Sequence, residues 1–552
     1  MSDNPMFRSS WSESVFQNKY AHEGCETWAK LADTLVEDVV QDKLPEEDKT
    51  ELKRLIRELK FIPGGRYLYY AGRDVKFFNN CYLLKAEEDN REDWANLSWK
   101  AESCLMTGGG IGVDYSVYRD SKQRLKRTGG TASGPLPKML MTNEIGRNVM
   151  QGASRRSAIY ASLNWKHGDI GEFLHCKDWH KMMIPGTDIS IADAKLADFN
   201  FPAPLDMTNI SVNYDTDWYM RFSQSGDVGE VFMENCRQAL STAEPGMSFN
   251  FFDHEFETLR NACCEVSSCD DSDVCNLGSI NMGRIESIQE MNTVVELATK
   301  FLICGTLRAD VPYPKVAEVR AKNRRLGLGL MGLHEWLIQR NYAYEVTHEL
   351  HNWLRVYKGV SNTTADAYCD SLGISRCVAK RSIAPTGTIG ILAGTSTGIE
   401  PIFAVAYMRR YLKGKDKWCH QYVVDSTAQE LIDQYGTDPD SIDTALTLAE
   451  DYERRIRFQA VIQEYVDMAI SSTINLPAWG SENNNEDGVE GFAKTLAHYA
   501  PRLRGFTCYP DGARGGQPLT AVPYTEAKSQ VGVEFESSDI CVISGKGGSC
   551  GV

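Results

Sequence analysis

Asn261-Ala-Cys263-Cys264-Glu265 sets an amide, a thiol and a carboxylate at alternate positions. In an extended segment these three side chains share one face and Cys264 points the other way. A thiol next to a carboxylate is a reactive sulfur with an acid/base partner. Inert burial is the commoner use of cysteine, so the company this stretch keeps decides its meaning.

That company consists of segments suited to anions. Pro385-Thr-Gly-Thr-Ile-Gly390 runs into Ala393–Phe403, a stretch of small residues and hydroxyls that lets backbone N–H groups approach a phosphate. It lacks the Gly-Lys-Ser/Thr ending of a nucleotide-hydrolysing loop, and a set of tight turns accounts for it equally well. Tyr118–Gly130 and Met150–Ser157 combine cations with glycine in an otherwise acidic chain, which is how a local anion site is made. A solvated basic loop is the plain alternative for the first. Gly327-Leu-Gly329-Leu-Met-Gly332 spells a dinucleotide fingerprint, but a charged, helix-like Val316–Arg325 precedes it where a buried strand is required. Close backbone packing is the better reading of those glycines.

The elements that must position these residues are those of an α/β protein. Thr27–Val40 and Glu46–Leu59 mix apolar and charged residues at helical spacing, Pro63-Gly64-Gly65 ends that pattern, and short apolar runs then alternate with amphipathic segments to about residue 510. The glycine-rich end, with Cys541 and Cys550, has little to bury and reads as a mobile tail. Of the 552 residues 42% are hydrophobic and 24% charged, as in ordinary globular chains. A net charge of -16 argues against nucleic-acid binding. There is no export signal and no apolar run of spanning length, which leads to the expectation of a cytoplasmic protein with no membrane partner. The 16 cysteines include no C-x-x-C pair, so no metal site is expected.

In order along the chain, Asn80-Cys81-Tyr-Leu-Leu, Gly110-Ile-Gly112, Met150-Gln-Gly to Arg155, Asn261–Glu265, Cys275-Asn-Leu-Gly-Ser-Ile-Asn281, Pro385–Phe403 and Ser472-Thr-Ile-Asn-Leu-Pro477 resemble the catalytic subunit of ribonucleotide reductases from about Leu59 to Tyr524. Thr386-Gly-Thr, Thr473–Pro477 and Tyr509–Pro518 look most like the adenosylcobalamin-dependent class II enzymes. The resemblance implies a ten-stranded α/β barrel in two five-stranded halves with a catalytic finger loop. It divides the chain into a helical region at 1–65 without an ATP cone, a barrel at 66–525 and a redox-active tail at 526–552.

Carried over residue by residue, it makes Cys263 the thiyl radical that removes the ribose 3′-hydrogen, Glu265 the base for the 3′-hydroxyl and Asn261 a holder of the sugar. Cys81 and Cys275 become the pair that reduces the 2′-carbon and ends as a disulfide, with Cys541 and Cys550 reopening it by exchange and a thioredoxin- or glutaredoxin-type protein as final reductant. Pro385, Thr386, Gly387, Thr388 and Ile389 would hold the substrate phosphates. Asp89, Arg119 and Arg127 resemble parts of a site for deoxynucleoside triphosphate or ATP effectors across a homodimer interface, and Gln151 and Arg155 the loop that relays effector identity.

The radical source stays open between two readings. The barrel resembles class II, yet the brief chain also resembles short cyanophage reductases thought to work with a ferritin-like, metal-containing small subunit, which would place it in a host cytoplasm. With no evident segment added for a corrin, that reading stands ahead of adenosylcobalamin, and Tyr509 is the one tyrosine at the place of a radical relay. A glycyl-radical enzyme lacks its motif in Asp511–Gly516. A non-enzymatic nucleotide-binding regulator would have no use for Cys263 in register with Cys81 and Cys275.

Overall fold

The structure is a computed structural model, and it describes residues 6–149, 157–198, 201–413, 417–513 and 519–536. Helices Ser10–Lys19, Trp28–Val40 and Glu46–Arg57 come first. The second begins after Thr27, whose side chain accepts from the Lys30 N–H, and buries Trp28, Leu31, Ala32, Leu35, Val36, Val39 and Val40 as one stripe. That stripe packs on the third helix and on the long helix Ile288–Arg308.

The strands are β1 (Phe61–Pro63), β2 (Cys81–Lys85), β3 (Gly110–Asp114), β4 (Ile159–Asn164), β5 (Thr208–Asp215), β6 (Gly246–Asn250), β7 (Leu259–Arg260), β8 (Ser267–Ser268), β9 (Asp273–Asn281) and β10 (Leu326–Met331). After these come β11 (Ala406–Lys413), β12 (Lys417–Val424), β13 (Thr473–Leu476), β14 (Gly505–Pro510), β15 (Leu519–Ala521) and β16 (Glu534–Glu536). β2 to β6 pair in parallel in chain order. β9 is parallel to β10, and β13 to β14. The two sets meet at antiparallel seams, β2 against β9 and β6 against β14.

One more stave closes the ring. Residues 379–383 run parallel to β10 through Leu328↔Arg381 and to the approach of β13 through Ile383↔Ile470. Ser382 donates to the Leu328 carbonyl at 3.2 Å and Ser471 to the Ile383 carbonyl at 2.8 Å. The fully buried Arg381 pins this stave by bonding Ser361 and Asn362 on helix His348–Ser371 and Asp467 on the next stave. The result is the ten-stranded α/β barrel of two five-stranded halves, with the helices packed outside.

Period-two alternation separates its two faces. Ile159, Ala161 and Leu163 on β4, Ile210, Val212 and Tyr214 on β5, and Phe506 and Cys508 on β14 join the apolar core under the helices. Asn209, Ser211, Asn213, Thr507 and Tyr509 occupy the alternate, interior positions. Gly327 and Gly329 of the fingerprint-like run lie in β10, where a Cβ at Gly329 would stand 2.6 Å from the Ser382 carbonyl, so they serve backbone packing between staves. A four-stranded antiparallel sheet, β15-β11-β12-β16, lies outside the ring.

β7 and β8 form the base of a finger that crosses the barrel interior, with Leu259↔Ser268 and Arg260↔Ser267 in register. Passage past β3 depends on Gly112, where a Cβ would lie 1.6 Å from the Arg260 carbonyl. Gly112→Ala is therefore expected to destabilise the fold by about 1–3 kcal/mol through overpacking. Gly171→Ala, with no atom within 4 Å of the added carbon, serves as the control in urea denaturation and should leave the midpoint unchanged or slightly raised.

Candidate active site

The finger tip is a turn. Cys264 donates its N–H to the Asn261 carbonyl at 2.9 Å and has φ 68°, the left-handed region. The extended reading of 261–265, with side chains sorted by alternation, is thus corrected: a tight reversal puts Cys263 at the exposed apex and folds Asn261 and Glu265 back beneath it. Asn261 fastens the turn. Its Oδ1 accepts from the Val266 N–H at 2.9 Å and its Nδ2 donates to Cys81 Sγ at 2.9 Å. On the other side, Asn209 Nδ2 on β5 donates to the Ala262 carbonyl at 3.1 Å.

Cys81 and Cys275 face each other across the β2–β9 seam as direct register partners. Opposite residues on antiparallel strands have Cα atoms about 4.5–5.5 Å apart, within the span a disulfide bridges. Here both are free thiols. Burial, followed by the neighbouring Glu265 carboxylate, holds both well above the usual thiol range. Two neutral thiols carry two electrons and two protons together.

Glu265 is 1% exposed. Burial lifts its carboxyl from 4.5 to about 7 against the opposing pull of the Asn261 amide. Its Oε1 lies 4.0 Å from Cys81 Sγ, and its Oε2 has no hydrogen-bond partner in the protein. An unpaired carboxylate poised near neutrality can accept a proton from something in the adjoining cavity.

That cavity, about 150 Å³, is lined by Cys81, Cys263, Glu265 and all five residues Pro385–Ile389. Thr386 adopts φ 47° and caps helix Gly387–Ala393, while its Oγ1 accepts from the Gly398 N–H at 2.8 Å. The first N–H groups of a helix have no intrahelical acceptor, so this turn presents donors where the thiol and carboxylate converge. The sequence reading assigned no site role to three further polar side chains at this wall: Tyr20, Asn80 and Ser279. Asn80 adjoins Cys81, and its buried Oδ1 is unpartnered; a polar side chain beside a candidate cysteine was the available signal. Tyr20 sits at the end of the first helix, and no local pattern marks it.

The remaining expected residues lie elsewhere. Asp89 bonds the Arg119 backbone N–H at 3.2 Å and its guanidinium, and Arg127 is exposed in the turn of a small hairpin closed by Arg124↔Thr131. None of the three lines the Cys263 cavity. Tyr509 is half-buried on β14. Gln151, Arg155, Cys541 and Cys550 fall outside the described residues, and among the described residues no cluster of metal-ligating side chains occurs.

Comparison with known proteins agrees with this geometry. The family model for the ribonucleotide reductase barrel domain matches residues 79–352 and 375–500, and the chain belongs to that family of oxidoreductases. It is 26% identical over 536 residues to the vitamin B12-dependent ribonucleoside-diphosphate reductase of Mycobacterium tuberculosis (strain CDC 1551 / Oshkosh), covering 87% of this chain and 74% of the relative. A putative adenosylcobalamin-dependent ribonucleoside-triphosphate reductase of Mycobacterium phage D29 is 23% identical, with 94% of each chain covered. Among solved structures, the Actinobacillus ureae class Id ribonucleotide reductase alpha subunit superposes with TM-score 0.72 at 15% identity, over 93% of this chain and 98% of that one, and so shares the fold.

The raised Glu265 carboxyl has a stability consequence. The folded state binds the proton more tightly than the unfolded chain, so Glu265's contribution is fully present below pH 4.5 and is lost as pH rises through about 7. Glu265→Gln should match the native melting behaviour at pH 4.5 and be more stable at pH 8, by up to roughly 3 kcal/mol. Denaturant melts of both proteins across that range would measure the difference.

Proposed function

We propose that this chain reduces ribonucleotides to 2′-deoxyribonucleotides by thiyl-radical chemistry at Cys263. The observation that carries the reading is the convergence of Cys263, Cys81, Glu265 and the Pro385–Ile389 turn on one cavity, with Cys275 directly behind Cys81. A sulfur radical at Cys263 takes the 3′-hydrogen, Glu265 accepts the 3′-hydroxyl proton, and the 2′-hydroxyl leaves as water. Cys81 and Cys275 supply two electrons and two protons and become a disulfide, and Cys263 returns its hydrogen. The neutral state that burial imposes on the pair suits this balance, because hydrogens and electrons are delivered together. Thr386, Gly387, Thr388 and Ile389 take the phosphates through backbone N–H groups, and Pro385, which has no N–H, sets the entry to that turn. Cys541 and Cys550 reopen the disulfide by exchange, with a thioredoxin- or glutaredoxin-type protein as the final donor.

For the radical source, the two relatives matched by sequence favour adenosylcobalamin over the small-subunit reading that stood first on sequence grounds, because both are named as B12- or adenosylcobalamin-dependent reductases. The exposed apex position of Cys263 fits this, since a directly docked group needs access to that sulfur. Adenosylcobalamin, when bound, would supply organic-radical chemistry from its adenosyl group, with Cys263 Sγ as the hydrogen donor. The interior position of Tyr509 supports the other reading, a relay from a ferritin-like partner. Asp89, Arg119 and Arg127, with Gln151 and Arg155, form the effector and relay elements of a homodimer. Exposed apolar side chains support that assembly: Trp99 and Met106 on helix Arg91–Met106, and Leu140 and Met141 on helix Leu136–Asn148, flank the 118–130 loop.

Purified chain with adenosylcobalamin, a dithiol reductant and no second protein is expected to form deoxynucleotides, with Tyr509→Phe still active and Cys263→Ala down at least ~10³-fold. Activity that appears only with a metal-loaded partner and disappears in Tyr509→Phe would transfer the assignment to the small-subunit reading. On the acid limb, kcat/KM should rise with pH through about 7, the Glu265 value, because the base acts only when deprotonated. A flat profile from pH 5.5 to 8.5 would remove Glu265 from that role.

A further inference from the structure

A second pair of thiols stands outside the catalytic cavity. Cys369, in the last turn of helix His348–Ser371, and Cys377, two residues before the closing stave 379–383, have their sulfurs 3.9 Å apart. Both are buried, at 0% and 4% exposure, and both are free thiols. The chain between them is a tight reversal: Gly373 takes φ 65°, and Ile374 donates back to the Cys369 carbonyl at 3.1 Å. Arg376 pairs with Asp370 across its outer side, and the Arg324 guanidinium donates to the Ser375 carbonyl at 3.0 Å from its inner side.

We propose that Cys369 and Cys377 form a second dithiol/disulfide couple, a redox-modification site independent of Cys81 and Cys275. Sulfurs this close need to approach by about 2 Å to reach bonding distance, and a loop fastened on both sides keeps them facing each other. The Cys369 thiol is pulled below its ordinary value by a hydrogen bond from Cys377, while Cys377 is pushed up by the same contact and by burial. A thiol made more acidic by direct contact with a second thiol is the arrangement from which exchange proceeds.

The burial of both sulfurs restricts the oxidant to a small molecule, and peroxide meets that requirement. One thiolate attacks the O–O bond of hydrogen peroxide and becomes a sulfenic acid with release of hydroxide. The second sulfur displaces the remaining hydroxyl, so that two thiols and one peroxide give one disulfide and two waters. A dithiol reductant reverses the bond. Cys377 leads within two residues into the stave that carries Arg381, and four residues further the chain forms the cavity wall at Pro385. Bond formation therefore draws on the element that closes the barrel.

Full-length protein is titrated with hydrogen peroxide at micromolar concentrations, alkylated under native conditions and digested, and the cross-linked peptides are identified by mass spectrometry. The expected result is a peptide joining Cys369 to Cys377, lost after dithiothreitol, absent from Cys369→Ser and Cys377→Ser, and still formed in a Cys81→Ser/Cys275→Ser double variant. Should either serine variant fold poorly, the same cross-link in the double variant carries the test. The proposal is overturned if Cys369 and Cys377 both stay free thiols while Cys263 or Cys81 is oxidised. It is equally overturned if either reaches the sulfinic acid without a cross-link.

Discussion

Closure of the sheet is the constraint on which everything else here depends. An open sheet has two unpaired edges, whereas a closed one has an inside. The stave at 379–383 contributes two bridges and one buried arginine, and without it β10 and β13 would be edges. With the ring shut, the finger is gripped from several sides, by Gly112 of β3, Asn209 of β5 and Cys81 of β2. Cys263 is thereby held at the finger tip, with Glu265 folded back beneath it. Positioning of this kind is where much catalytic advantage arises.

The same enclosure sets the electrostatics. Glu265, Cys81 and Cys275 are ordinary titratable groups that the dry interior shifts in one direction, toward the neutral form. At the base of the finger the protein does the opposite and buries charges in company. Arg504 bonds Glu257 at 2.7 Å and Arg325 bonds Asp273 at 2.7 Å, while Arg260 reaches Asn250 at 2.7 Å. Against the upward push of burial, a hydrogen bond with His254 and the charges of Arg504 and Arg325 hold Glu257 far below the carboxylate range. The root of the finger is thus ionic, and the groups around its tip are shifted toward neutral. At the tip end Glu265 Oε2 and Asn80 Oδ1 are left unpartnered beside the cavity, as expected of a site shaped for a ligand.

Much of this was legible in the sequence, for physical reasons that differ by element. The second helix could be read from its apolar spacing and began one residue late only because Thr27 is its cap. The β10 glycines were rightly separated from a dinucleotide loop, since the helix before them left no room for the required strand. The finger tip was misread as extended. A turn with a left-handed cysteine has no propensity signal, because tertiary contacts from Asn261 and Asn209 impose it. Tyr20 was invisible for a related reason: its place at the cavity wall is a property of where the first helix docks. The stave at 379–383 had no strand-like pattern either, and it gains its strand character from its two neighbours.

The β2–β9 seam joins the first and second halves of the barrel, and Cys81 and Cys275 lie on either side of it. A covalent bond there would tie together two points separated by nearly two hundred residues of chain. By the chain-entropy account, such a tie removes freedom from the denatured ensemble worth about 5 kcal/mol. The oxidised protein would then be the thermally tougher species and the reduced one the softer. A chemical cycle at this site would double as a cycle of global stiffness, so protease resistance and melting temperature would report the redox state of two buried sulfurs.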